Sequence, residues 1–84
     1  MTNTQYEIID ALYFVTPFNE LVAQLDLEKE LLVVELHKLH HRGWIRVYDG
    51  IDQELENHAL LNDRFEKYQF LASKQGLIVH NSDE

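Results

Sequence analysis

Eighty-four residues, 45% of them hydrophobic, make one small domain with enough apolar content for a core, near the size at which a single core only just suffices. The absence of cysteine excludes a disulfide framework and thiolate chemistry. Fifteen acidic residues against seven basic ones give a net charge of −8, so the chain lacks the basic footprint that phosphate neutralisation on DNA relies on.

No apolar run approaches the about 18–20 residues needed to span a bilayer, and no membrane partner is expected. Residues 1–10 are polar and acidic rather than basic and then apolar, so no secretory signal is expected and the predicted location is the cytoplasm.

In chain order, residues 1–3 are expected to fray. Thr4-Gln5-Tyr6-Glu7 matches the capping box, in which a Thr hydroxyl and a Glu carboxylate satisfy each other's backbone N–H groups. That predicts a helix over residues 4–14, with Ile8, Ile9, Leu12 and Tyr13 as its apolar stripe. Thr16 is a good N-cap, and Pro17 suits the first helical position, where its missing N–H does no harm. A second helix over residues 17–25 follows, with Phe18, Leu21, Val22 and Leu25 on one face. Leu25-Asp26-Leu27 is the turn, since Asp tolerates left-handed backbone.

The third helix is predicted over residues 28–42. Leu32, Leu36 and Leu39 recur at helical spacing and Gly43 stops it. Lys38, His40, His41 and Arg42 complement the negative end of its dipole. Residues 44–48 read as a strand with Ile45 and Val47 on one face, and Asp49-Gly50 as a turn. A second strand is predicted over residues 67–72, where Tyr68, Phe70 and Ala72 alternate with Gln69 and Leu71. The stretch between is too long for a tight hairpin. Ile51, Leu55 and Ala59, spaced by four, admit an acidic helical insertion within residues 49–66. Ser73-Lys74-Gln75-Gly76 reads as a cap or turn, Leu77-Ile78-Val79 as a last apolar patch, and the residues after it as a solvated tail, flexible over 81–84.

Residues 21–45 resemble the helix-turn-helix of bacterial winged-helix transcriptional regulators. Leu36-x-x-Leu39-x-x-x-Gly43-Trp44-Ile45 is similar to the family's L-x-x-L-x-x-x-G-L-I ending. Phe70-Leu71-Ala72-Ser73-Lys74-Gln75-Gly76-Leu77 resembles the L-T-x-x-G segment that closes the wing, with Ala72 and Ser73 in the Leu and Thr places. With the first helix, the resemblance covers most of the chain except residues 49–66. It implies a mainly α fold of α+β class, a three-helix core with a two-strand antiparallel wing, in one domain over residues 1–84. It also implies transcription regulation, with duplex DNA met by the third helix and the wing, and dimerisation through terminal elements. Two positions depart from the pattern: Asp26 stands where the turn usually has Gly, and Glu28 where the cap is usually Ser.

A helical wheel centred on Leu32 and Leu36 puts Glu30, Val34, His37 and His41 on the outward face. Glu28 and Glu30 would repel the phosphate that a helix N-terminus otherwise attracts. Lys38, Arg42 and Arg46 are the candidate DNA contacts, although positive charge at a helix C-terminus has a dipole explanation of its own. Leu31, Val33 and Val34, together with Leu77, Ile78 and Val79, are the candidate partner interface. Packing by neighbouring elements could instead cover Leu31 and Val33.

His37 and His41 have the i, i+4 spacing of a metal-chelating pair but no evident third ligand, so a solvated patch is expected. Asp49, Asp52, Glu54 and Glu56 lack the order of an EF-hand and default to a solvated acidic loop. Trp44, Tyr48, Tyr68 and Phe70 suit base stacking or a small core equally well. No phosphate loop, nucleophile elbow or acid–base pair is present, so neither catalysis nor a cofactor is expected. The favoured expectation is a non-enzymatic domain acting through protein contact, with a different protein or a second copy as partner. The alternative is a DNA-binding transcriptional regulator.

Overall fold

Leu32, Leu36 and Leu39 are fully buried and form the inner face of one long helix, as their spacing requires. The computed structural model describes residues 1–50, 53–55, 60 and 62–82. Its helices are α1 (Asn3–Ala11), α2 (Phe18–Leu25), α3 (Lys29–His41) and α4 (Lys74–Ser82). Its strands are β1 (Thr16–Pro17), β2 (Ile45–Asp49), β3 (Glu54–Leu55) and β4 (Tyr68–Ala72), and a 3-10 helix, Asn62–Lys67, runs into β4. The strands make one antiparallel sheet in the order β1-β4-β2-β3. The fold is α+β. The described residues hold four α-helices and a four-stranded antiparallel sheet, where a three-helix core with a two-strand wing was expected.

The turn between α2 and α3 rests on Asp26, whose φ of 56° places it in the left-handed region, with its N–H on the Val22 carbonyl. Gly43, at φ 78°, ends α3. Its N–H donates to the His40 carbonyl and that of Trp44 to the Leu39 carbonyl, each at 3.0 Å, the double bond of a Schellman ending. This turn aims the chain into β2. There Ile45 lies opposite Ala72 and Val47 opposite Phe70, so the buried faces of β2 and β4 coincide. Against that face pack Ile8 and Ile9 of α1, Leu12 just after it, Phe18 and Leu21 of α2, and the α3 leucines.

Several local expectations are corrected. The cap of α1 is Thr2, not Thr4. Thr2 and Gln5 form the capping box, and this register turns Gln5 inward, where its amide donates to Glu35 Oε1 of α3 at 3.0 Å. That tertiary bond favours the earlier of two locally acceptable starts. Helix α1 ends at Ala11 rather than Phe14, because the Leu12 carbonyl is taken by the Ala72 N–H of the sheet. Thr16 caps nothing: it pairs with Phe70 in β1, and its hydroxyl donates to the Phe14 carbonyl. Pro17 precedes α2 on an edge strand, where a missing N–H is tolerated.

The acidic insertion is not helical at Leu55, which lies in β3 opposite Val47; Ile51 and Ala59 lie outside the described residues. The supposed terminal patch and tail form α4 as far as Ser82, so residues 81 and 82 are helical. Ser73 starts α4 by accepting the Gly76 N–H at 3.0 Å. Among the described residues, no helix is long and apolar enough to cross a membrane.

Candidate interaction surface

Phe65, on the 3-10 helix, shapes the surface beside α3. Its buried ring packs edge-on against Phe18 with centroids 5.6 Å apart, and tilted against Phe70 at 5.8 Å and the half-buried His37 ring at 5.2 Å. Lys29, at the start of α3, reaches Glu66 at 3.3 Å. The 3-10 helix packs on α2 and meets α3 at these two side-chain contacts. Between it and α3 runs a groove of about 520 Å³, with Phe18, Val33, Val34 and Phe65 as its apolar lining and Lys29, Glu30, Asp63 and Glu66 at its edges.

Of the candidate interface residues on α3, Leu31 and Val34 are exposed, at 43% and 49%. Val33 is half-buried and packs on the core. The groove thus contains two of the three aliphatics singled out in the sequence. Phe18, Phe65, Asp63 and Glu66 were missed as its other walls. The one available signal was Phe65, an aromatic three residues before Tyr68, against which its ring packs at a tilt with centroids 5.4 Å apart.

The cationic candidates are each engaged. Lys38 lies 3.8 Å from Glu35, the Arg42 guanidinium sits 5.0 Å over the Trp44 ring, and Arg46 lies 3.5 Å from Glu54. Their side chains stay accessible, but two neighbouring carboxylates offset most of their charge. Tyr68 and Phe70 belong to the core, whereas Trp44 and Tyr48 are half-buried.

His37 packs on Phe65 and His41 is exposed. Among the described residues no three His, Cys, Asp or Glu side chains are grouped to hold a metal ion. Of the acidic loop, Glu54 faces Arg46, and both Asp49 oxygens accept from Arg64 Nη2 at 3.0 Å. That hydrogen bond, with the carboxylate's charge, raises the Arg64 pKa above its ordinary value. Asp52 and Glu56 lie outside the described residues.

The terminal apolar candidates separate on α4. Ile78 is exposed at 52%, while Leu77 and Val79 are half-buried, Leu77 against the core. His80, expected in a solvated tail, is buried instead. It stacks on Tyr6 of α1 at 4.0 Å, meets Tyr13 edge-on, and has Nε2 3.5 Å from Asp10 Oδ1. Its four-residue spacing from buried Gly76 was the sequence signal for a helix face there. Compared with known proteins, the chain matches no family model, no curated protein and no solved structure.

Proposed function

We propose that this is a non-enzymatic winged-helix domain of transcription-regulator lineage that acts through protein–protein contact, using the N-terminal half of α3. The lineage is supported by the succession α1, α2, α3 and the antiparallel β2–β4 pair, by the Asp26 turn, and by the Gly43 ending. One observation carries the protein-contact reading. The 3-10 helix folds against the side of α3 that would face bases, through Phe65 on His37 and Lys29 on Glu66, and leaves an apolar groove edged by carboxylates. Such a surface repels phosphate and offers apolar area to another protein.

A titration with mixed duplex DNA at low salt tests this against the DNA-binding alternative. The expected result is weak binding with a shallow salt dependence, abolished when Lys38, Arg42 and Arg46 are changed together to Ala. Tight, saturable binding at physiological salt that is lost in the triple variant would overturn the proposal and identify a DNA-binding regulator.

A further inference from the structure

We infer that the groove between α3 and the 3-10 helix accepts a short segment of a partner protein in which large apolar side chains are flanked by lysine or arginine. This rests on the protein-contact reading above and adds the chemistry of the partner.

The lining selects the apolar part. Phe18 and Phe65 are core residues held by ring packing and back the groove at 2% exposure each, and Val33 and Val34 supply the accessible α3 wall. At about 520 Å³, the groove falls within the range of about 300–1,000 Å³ typical of ligand pockets. A site built on packed rings needs no rearrangement to receive a side chain, which lowers the cost of binding.

The rim selects the flanks. Three carboxylates, Glu30, Asp63 and Glu66, face one cation, and that cation, Lys29, is already paired with Glu66. Glu30 and Asp63 make no ion pair among the described residues. Two carboxylates outside any ion pair, Asp63 with only the longer-range field of Arg64 acting on it, complement a basic, apolar-centred peptide beside this slot. They oppose a nucleic acid. They also oppose a second copy of this chain, which carries a net charge of −8.

The test uses the full chain with labelled methyl groups and three synthetic peptides followed by NMR. One has a central Leu-Phe pair flanked by lysines, the second the same pair flanked by glutamates, and the third the lysine flanks around a Ser-Ser centre. The lysine-flanked Leu-Phe peptide is expected to bind saturably and shift the Val33 and Val34 methyl signals, and to weaken as salt is added. Both other peptides should bind at least about tenfold more weakly. In a Glu30→Lys, Asp63→Lys double variant the preference should invert, with the glutamate-flanked peptide now the tighter ligand.

Glu30 and Asp63 are exposed, so this variant is expected to fold, and its methyl spectrum verifies that. Val34→Lys should abolish binding of the lysine-flanked peptide in the same format. An unchanged preference in the double variant would overturn the inference, as would binding of no peptide. If peptide shifts map to Ile78 rather than to Val33 and Val34, the groove assignment fails while a protein-contact function stands. If no peptide binds and duplex DNA saturates the protein through Lys38 and Arg42, the protein-contact reading fails as well.

Discussion

Ser73 and Gly76 show how two small residues close the fold. The Ser73 N–H donates to the Trp44 carbonyl, and its hydroxyl donates to the Gly43 carbonyl at 2.6 Å while accepting from the Gly76 N–H. Gly76 then lies directly on the Trp44 backbone, where a Cβ would collide with the Trp44 carbonyl oxygen. The S-x-x-G spacing therefore ties the start of α4 to the turn that ends α3. Backbone cannot retreat as a flexible side chain can, so Gly76→Ala should destabilise by about 1–3 kcal/mol or more. Ser73→Ala should cost about 1 kcal/mol through the lost cap. Urea unfolding followed by circular dichroism measures both, and a Gly76→Ala midpoint equal to wild type would contradict the packing described. The same two residues explain what was legible at this scale. Their spacing was visible as a cap or turn, but its consequence, a helix that buries His80 against Tyr6, depends on contacts across most of the chain.

At the scale of elements, α3 and the 3-10 helix differ in what specifies them. Helix α3 carries its own instructions. Its buried leucines repeat at helical spacing and Gly43 supplies the ending, so its bounds fall within one residue of those expected. Leu36 is fully buried, and Leu36→Ala should cost roughly 2–5 kcal/mol by calorimetry or urea unfolding, with retained stability counting against the assigned core. The 3-10 helix has no such periodicity. Its position depends on Phe65 meeting Phe18 of α2 and Phe70 and Tyr68 of β4. The four-residue spacing of Ile51, Leu55 and Ala59 competed with that and suggested a helix instead. Among the contacts that hold the 3-10 helix and its approach, buried Phe65 and the accessible Arg64–Asp49 pair differ in kind. Burial should dominate, because exposed ion pairs are largely screened. Phe65→Ala should cost about 3–5 kcal/mol and accelerate amide exchange over residues 62–67. Arg64→Ala should have the smaller effect on both measurements, and the reverse order would show that the ion pair is the principal anchor.

At the scale of the whole molecule, charge and exposed apolar surface pull in opposite directions. Helix α4 packs on α1 through the Tyr6–His80 stack and on the turn after α1 through the Tyr13–Asn81 hydrogen bond, yet Tyr6, Tyr13 and Ile78 remain at least 40% exposed. Phe14 and Val15, just after α1, are exposed as well. This region is separate from the α3 groove, and we propose it as the surface through which a second copy would meet the first. A two-fold contact would present the same patch from both chains. A credible interface buries about 1,000 Å² in total, roughly 500 Å² on each side, and each chain has 5485 Å² of accessible surface. Opposing it is the repulsion between two chains of −8 each. The dimer should therefore rest on apolar contact and tighten as added salt screens that repulsion. Ile78→Asp places a further charge in the patch without touching the core, and should shift the protein to monomer while leaving its circular dichroism spectrum unchanged. Sedimentation across a salt series decides the matter. If the wild-type chain remains monomeric at high micromolar concentration in moderate salt, self-association is ruled out and the exposed α1–α4 side chains must serve a different protein.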